Sequence, residues 1–226
     1  MSKILVLGKK RDDFYFQKAI DFTLQYFPDT VLVLAKPGDP FPLETLQWSG
    51  DYIISYLCPW VLPGNLIERA NIAAINFHPA TPEYPGTGCT NFAIYNNEPV
   101  YGVMSHYIDP KVDTGRIISV RRFPVFSRDT VYSLTQRCYA HMLVLYYDIL
   151  SLILEGKPLP LSEETWKKAP YRKKDLDALK RLTLDMTEAE ISRRIRASTY
   201  PGTSGAYIEI NGQRFEYVPG EKNCKP

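Results

Sequence analysis

The first half of the sequence alternates short apolar runs with a stretch of helical periodicity, and this alternation restricts the possible folds more than any other feature. Apolar runs occupy residues 3–7, 30–35, 52–57 and 72–77, and residues 12–27 place apolar side chains at helical spacing. Strands that are apolar along most of their length and separated by helices are typical of a parallel sheet covered on both faces. The sequence therefore predicts an α/β protein with a Rossmann-like, mostly parallel sheet flanked by helices.

After the fourth strand the pattern changes to two longer strands and one long helix. Residues 100–108 and 116–125 are predicted to be strands joined by a turn-rich segment. Ser127 or Asp129 is predicted to cap a helix that reaches about Leu154. This helix contains the longest apolar run of the chain, but polar residues interrupt the run, which falls short of the ~20 residues of a membrane span. We therefore expect no membrane partner.

The end of the chain is predicted to form a smaller unit. Residues 206–210 and 213–218 alternate with period two around Asn211-Gly212, which is a strong signal for a β-hairpin. We expect an N-terminal catalytic domain over residues 1–156 and, over residues 157–226, a small C-terminal subdomain that contains the hairpin.

Charge and cysteine content exclude several classes of protein. Of 226 residues, 27 are Lys or Arg and 25 are Asp or Glu, and the net charge of +2 argues against a dedicated nucleic-acid-binding protein. The four cysteines show no C-x-x-C pair and no metal-site spacing, which argues against a disulfide framework and a structural zinc site. We therefore expect a cytoplasmic protein that uses no metal and binds no nucleic acid.

The loops at the carboxyl ends of the predicted strands are the expected place for a ligand, as in other open parallel sheets. Neither G-x-G-x-x-G nor G-x-x-x-x-G-K-[ST] is present, which disfavours a nicotinamide dinucleotide and a P-loop nucleotide. The loop after the first strand contains Gly8 followed by Lys9, Lys10 and Arg11. Lys9 or Arg11 could contact a diphosphate near the start of the next helix, and the alternative is a solvated basic loop.

An amide and an imidazole lie two positions apart at the end of the fourth strand. Residues two apart in a strand point to the same side, so Asn76 and His78 are predicted to face one cavity. A histidine can move a proton near neutral pH, and an asparagine amide can donate a hydrogen bond to a developing oxyanion. The pair suits acyl transfer, although a single histidine is often only a hydrogen-bonded structural residue. His106, on a later strand, is expected to be a core or site-lining residue.

The acidic residue of Asp113-Thr114-Gly115 has two interpretations. It could cap the turn in which it lies, as aspartates often do. It could also be a buried carboxylate that orients His78 and tunes its basicity.

Three separated motifs together resemble one known family. Asn76-Phe77-His78-Pro79-Ala80, Glu83-Tyr84-Pro85-Gly86 and Asp113-Thr114-Gly115 are similar to motifs of the folate-dependent formyltransferases, and they look most like those of the sugar N-formyltransferases. In that family an Asn-x-His pair and a later aspartate form the catalytic triad. Here the aspartate follows the histidine by 35 positions. The resemblance implies that the catalytic residues are Asn76, His78 and Asp113.

The resemblance also implies the reaction and its substrates. The formyl group of N10-formyltetrahydrofolate would pass to the amine of a nucleotide-linked amino-deoxy sugar, of the dTDP-4-amino-4,6-dideoxyglucose type, in the synthesis of O-antigen or another surface polysaccharide. The folate co-substrate would contact Ser55, Tyr56, Leu57, Cys58, Asp109, Lys111 and Val112. The acceptor would contact Lys9, Arg11, Tyr84, Gly86, Thr90, Asn91 and Tyr200. A homodimer is expected, paired through the C-terminal hairpin.

Three alternatives stay open at this point. A methionyl-tRNA formyltransferase uses the same chemistry but is longer and ends in a basic domain. A formyltetrahydrofolate hydrolase lacks an amine acceptor, and residues 82–92, which look built for an acceptor, argue against it. A binding protein for a nucleotide sugar, without catalysis, is the non-enzyme alternative.

Overall fold

The computed structural model describes residues 2–10 and 13–218, and helices alternate with strands through most of this length. The strands are β1 (Ile4–Lys9), β2 (Val31–Ala35), β3 (Gly50–Tyr56), β4 (Ala70–His78), β5 (Val100–Tyr107), β6 (Ile117–Pro124), β7 (Arg181–Leu182), β8 (Tyr207–Ile210) and β9 (Gln213–Glu216). The α-helices are α1 (Phe14–Tyr26), α2 (Gly64–Ile67), α3 (Cys89–Tyr95), α4 (Val131–Leu154), α5 (Lys173–Lys180) and α6 (Glu188–Ser198), and a short 3₁₀ helix covers Leu43–Gln47.

The main sheet has six strands in the order β2-β1-β3-β4-β5-β6. β1 to β4 are parallel, and β5 and β6 extend the sheet in antiparallel fashion beyond β4. On one face α1 and α4 pack together, and the hydroxyls of Thr23 and Tyr146 form a hydrogen bond of 2.5 Å between them. On the other face Leu5, Ile53 and Leu66 belong to a second buried cluster. The predicted α/β fold with a mostly parallel, helix-covered sheet is confirmed.

The long helix α4 begins at a cap that differs from the predicted one. Thr130 is the N-cap residue: its hydroxyl accepts a hydrogen bond from the Ser133 N–H, and the Ser133 hydroxyl accepts one from the Thr130 N–H. The prediction of Ser127 or Asp129 as the cap is therefore wrong. The carboxylate of Asp129 instead forms an ion pair with Arg137 at 2.6 Å.

The apolar character of α4 comes from its place in the core. By length and composition alone the helix could cross a membrane, but 44% of its most apolar window is buried inside the protein. Leu134, Cys138, Met142 and Tyr146 recur at four-residue spacing, and all four are fully buried. This face of α4 covers the sheet, which explains the run of apolar residues.

The chain after α4 ends in a small sheet with the order β7-β8-β9. Asn211 and Gly212, with φ of 51° and 77°, form the turn between β8 and β9, and the predicted hairpin is confirmed. Helix α5 ends at Lys180, because the backbone of Arg181 already pairs with β8.

Residues from both predicted domains pack into one buried core. Leu179 of α5 and Ala197 of α6 belong to the same buried cluster as the core of the main sheet, and α6 packs against α3. The division into residues 1–156 and 157–226 therefore stays a prediction.

One close approach of two backbone segments requires a glycine. A Cβ atom on Gly115 would lie 1.8 Å from the carbonyl oxygen of Tyr107, whereas a Cβ atom on Gly64 would meet nothing within 4 Å. We expect Gly115→Ala to lower the free energy of unfolding by about 3 kcal/mol or more, since the backbone of the turn must move. The control Gly64→Ala should change it by less than about 1 kcal/mol. Urea unfolding of both variants measures this, and equal stability of the two would contradict the close approach.

Candidate active site

The predicted catalytic residues meet at the carboxyl end of β4. Asn76, His78 and Asp113 line one cavity of about 420 Å³, which lies beside the ends of β1 and β3. His78 Nε2 is 3.7 Å from Asp113 Oδ2. The structure thus brings together an amide, an imidazole and a carboxylate that are separated in the sequence, as strands of a parallel sheet do at this edge.

Asp113 is held by its backbone conformation and by a second loop. Its φ of 50° lies in the left-handed region, and its Oδ2 accepts a hydrogen bond of 2.7 Å from the N–H of Gly86. Gly86 can reach this position because it has no Cβ, which would lie 2.3 Å from the carbonyl oxygen of Tyr171. Burial acts to raise the pKa of Asp113, but His78, His106 and the Gly86 N–H outweigh burial and hold that pKa well below its usual range. The carboxylate is therefore charged at neutral pH.

A second histidine completes the cluster. His106 lies opposite Asn76 in the antiparallel pairing of β4 with β5, and its Nε2 is 3.0 Å from the Asn76 amide nitrogen and 3.5 Å from Asp113 Oδ1. Its Nδ1 is 2.8 Å from the carbonyl oxygen of Tyr107. A proton on Nδ1 satisfies that carbonyl and leaves Nε2 to accept the Asn76 N–H. The prediction of a core or site-lining histidine is confirmed, since His106 is buried and lines the cavity. Its pairing with Asn76 was not predicted, because the register of β4 and β5 cannot be read from the sequence.

The Asn76 amide is oriented from both sides. Its oxygen accepts a hydrogen bond of 2.8 Å from the Ser55 hydroxyl, and its nitrogen donates to His106. Ser55, which is predicted to contact folate, lines the cavity and also donates its hydroxyl hydrogen bond to Asn76. The amide nitrogen carries a second N–H, and Asn76 lines the cavity into which that group could donate.

His78 is buried among acceptors. Its Nε2 is 3.4 Å from the carbonyl oxygen of Tyr84, in addition to its approach to Asp113. Burial lowers the pKa of His78; Asp113 and the Tyr84 carbonyl act to raise it, His106 acts to lower it, and the net direction is down. The ring is therefore neutral at pH 7. With a proton on Nε2 facing its two acceptors, Nδ1 carries the lone pair that can take up a proton.

Most of the residues predicted to contact folate line the same cavity. They are Ser55, Leu57, Cys58, Asp109, Lys111 and Val112. Tyr56 does not, because its ring is 1% exposed and packs against Phe16, Phe77 and Tyr146 in the core. Sequence reasoning missed the apolar lining residues Leu62 and Ile108. Among the residues that the structure describes, no group of three or more histidine, cysteine or acidic side chains could hold a metal ion.

Four of the residues predicted to contact the acceptor line a second cavity, of about 340 Å³. They are Lys9, Thr90, Asn91 and Tyr200. Lys9 and Tyr139 line both cavities, so the two adjoin. The second lining contains Lys180 and the hydroxyl-bearing residues Thr135, Ser198 and Thr203, and within the described part of the chain it includes no acidic residue.

The other three acceptor predictions have different outcomes. Gly86 lines the first cavity rather than the second. Tyr84 cannot offer its ring to a ligand, because the ring is 2% exposed and its hydroxyl donates to Glu98. Its carbonyl, facing His78, is the part that reaches the site. Arg11 lies outside the described residues.

A neutral imidazole, an oriented amide and a buried carboxylate beside two adjoining cavities are a site suited to acyl transfer. Comparison with known proteins agrees with this chemistry. The family described as formyl transferase matches residues 43–148. Over 172 residues the chain is 30% identical to the GDP-perosamine N-formyltransferase of Brucella abortus, an alignment that covers 75% of this chain and 64% of that protein. Residues 43–148 of the chain thus resemble the formyltransferase family.

Two further comparisons show how far the likeness extends. The methionyl-tRNA formyltransferase of Levilactobacillus brevis is 26% identical over 76% of this chain and 54% of its own length. The chain thus spans little more than half of that relative and 64% of the Brucella protein. A solved N-formyltransferase from Helicobacter canadensis, in complex with folinic acid and dTDP-3-aminofucose, shares the fold with a TM-score of 0.72 at 19% identity, covering 94% of this chain and 85% of that one.

The protonation of His78 makes the free energy of unfolding depend on pH. The folded-state pKa of His78 lies below the unfolded value of 6.5, so the unfolded chain binds the extra proton first. The neutral ring therefore contributes stability above pH 6.5 that is lost as the pH falls through the folded-state pKa. Between about pH 7.5 and about pH 5.5 we expect the wild type to lose more free energy of unfolding than His78→Gln, by up to about 1.4 kcal/mol per pH unit. Urea unfolding across this range measures both proteins, and parallel curves would count against a buried neutral ring.

Proposed function

We propose that this protein is an N-formyltransferase that transfers the formyl group of N10-formyltetrahydrofolate to the amine of a nucleotide-linked amino sugar. The main observation behind the proposal is that two cavities with different chemistry lie side by side. The first contains Asn76, His78 and Asp113, whereas the described residues around the second supply lysines, hydroxyls and an amide and include no acidic side chain. The formyltransferase family and the Brucella relative support the same reaction class.

The first cavity fits a folate. Leu57, Leu62 and Ile108 give it apolar walls for a flat ring system, and Lys9 and the exposed Lys111 can pair with carboxylates. When bound, N10-formyltetrahydrofolate would supply the formyl group. The solved Helicobacter protein, whose fold this chain shares, is in complex with folinic acid.

The chain's own residues can perform the proton and charge work of the transfer. A neutral His78 can take the proton that the attacking amine must lose, and the charged Asp113 stabilises the imidazolium that forms. The Asn76 amide, held by Ser55 and His106, can donate an N–H to an oxygen that gains negative charge. Each group is already oriented by a neighbour, so little reorganisation is needed at the moment of reaction.

The second cavity fits the polar part of the acceptor. Lys9 and Lys180 can neutralise a diphosphate, and Thr90, Asn91 and Ser198 can hydrogen-bond a sugar. The proteins compared use two different nucleotides. The Brucella relative is named for GDP-perosamine, and the Helicobacter structure contains dTDP-3-aminofucose. For this protein we propose an acceptor of the dTDP-4-amino-4,6-dideoxyglucose type. The formylated sugar would enter a surface polysaccharide such as O-antigen, and the enzyme would act in the cytoplasm.

A homodimer forms part of the same proposal. The β8–β9 hairpin ends in the edge strand β9, all four residues of which are exposed. Phe215 on β9 and Ile210 on β8 expose 51% and 45% of their surface. An exposed edge strand with apolar side chains can pair with a second copy of the chain.

The proposed reaction is tested with the purified full chain, N10-formyltetrahydrofolate, and GDP- or dTDP-linked amino sugars. We expect a formylated sugar nucleotide by mass spectrometry, and Asn76→Ala, His78→Asn and Asp113→Asn should each lower kcat by about 10²–10³-fold. The control is His141→Asn, because His141 is half-buried against Phe123 and lines neither cavity. It should retain wild-type turnover.

Other products would identify the alternatives. Formate without a formylated sugar would indicate a hydrolase, and formylation of methionyl-tRNA alone would indicate the tRNA enzyme. Tight binding of a nucleotide sugar with no turnover would indicate a binding protein. Near-normal kcat in His78→Asn would contradict the assigned chemistry.

A further inference from the structure

An irregular segment after α4 packs against the loop that contacts the catalytic residues. We call residues 162–171 the strap. The N–H of Lys167 donates to the carbonyl of Pro82 at 3.1 Å, and the N–H of Tyr171 donates to that of Pro85 at 2.9 Å. Arg122 forms ion pairs with Glu83 of the loop and with Glu164 of the strap. The strap therefore holds the loop that presents the Tyr84 carbonyl and the Gly86 N–H to the site.

Trp166 extends from the strap to the back of the catalytic cluster. Its Nε1–H donates a hydrogen bond of 2.8 Å to the carbonyl of Gly115, two residues after Asp113. Its ring meets His106 edge-on, with centroids 5.0 Å apart at 83°, and meets His78 at 6.2 Å and 62°. Trp166 is not among the residues that line either cavity. The indole therefore supports the cluster from the side away from the substrates.

This placement has two physical consequences. The hydrogen bond to Gly115 fixes the turn that holds Asp113 in its left-handed conformation. The ring also fills the space behind both imidazoles, where water would otherwise solvate them and let them rotate. The groups that face His78 are Asp113, His106 and the Tyr84 carbonyl, and the uncharged indole adds no charge to them.

We propose that Trp166 is a positioning residue for the transfer. It fixes the positions of the Asp113 turn and of both imidazoles relative to one another, and it keeps water from the side of the imidazoles that faces away from the cavity. The proposal rests on the proposed formyl transfer. No other residue given a role above touches Gly115, His106 and His78 together. Loss of the indole should affect turnover rather than substrate binding, because Trp166 acts through the residues that line the cavity.

The test uses Trp166→Leu and Trp166→Phe, with Trp48→Phe as the matched control. Trp48 is buried in the cluster on the opposite face of the sheet, and among the described residues its Nε1 has no hydrogen-bond partner. Replacing it removes the same volume as Trp166→Phe, at a position that lines neither cavity. Two readouts are taken for each protein: kcat and KM for both substrates, and the titration midpoint of the His78 ring by NMR.

We expect Trp166→Leu to lower kcat by about 10–100-fold, with each KM within about threefold of wild type, since misplaced catalytic groups lose rate. The His78 midpoint should rise towards 6.5 as water reaches the ring. Trp166→Phe, which keeps a ring but loses the N–H, should recover part of kcat and shift the midpoint less. Trp48→Phe should leave both readouts unchanged.

Two results would overturn the inference. One is wild-type kcat and an unshifted His78 midpoint in Trp166→Leu. The other is the same losses in Trp48→Phe, which would show a general effect of lower stability. If Trp166→Leu does not fold, Trp166→Phe decides by the same two readouts. If the wild type transfers no formyl group, the proposed function fails, whereas the His78 titration still tests the positioning role.

Discussion

The contact of the Asp113 carboxylate with two imidazoles and one backbone N–H is the interaction on which the rest of the site depends. A buried carboxylate is costly unless it is paired and hydrogen-bonded; here the N–H of Gly86 donates to it, the N–H of His78 Nε2 faces it, and the His106 ring lies beside it with Nε2 3.5 Å from Oδ1. Several unusual local features serve this contact. Asp113 has a positive φ, and Gly86 lies too close to the strap for any side chain.

The sheet topology explains why these groups meet. The parallel strands β1, β3 and β4 end at one edge, where the cavity forms. The change to antiparallel pairing at β5 then places His106 directly opposite Asn76. A fully parallel continuation would require a crossover and would bring a different strand end to this position. The switch in direction thus supplies the second imidazole and the turn that carries Asp113.

Local patterns in the sequence predicted the elements that form from neighbouring residues, namely strands and a tight turn. The apolar runs predicted β1 to β4, and Asn211-Gly212 predicted the hairpin. The motif resemblance selected Asn76, His78 and Asp113, which the structure places together, although their roles stay predictions.

What the sequence could not show are contacts between distant segments. The Tyr84 ring is buried against Tyr101 and Tyr171, so it has no exposed surface for the predicted contact with the acceptor. Trp166 reaches Gly115 across 51 positions of sequence. No periodicity or motif predicts such a pairing, because it depends on how the chain returns after α4.

The most direct test of the buried carboxylate–imidazole cluster is the ring ¹⁵N NMR spectrum of the histidines against pH, for the wild type and Asp113→Asn. In the wild type His106 should carry its proton on Nδ1, and His78 should be neutral at pH 7 with a midpoint below 6.5. Since the carboxylate raises the pKa of His78, its removal should lower that midpoint further. A His78 ring protonated at pH 7, or a midpoint unchanged by Asp113→Asn, would contradict the cluster described above.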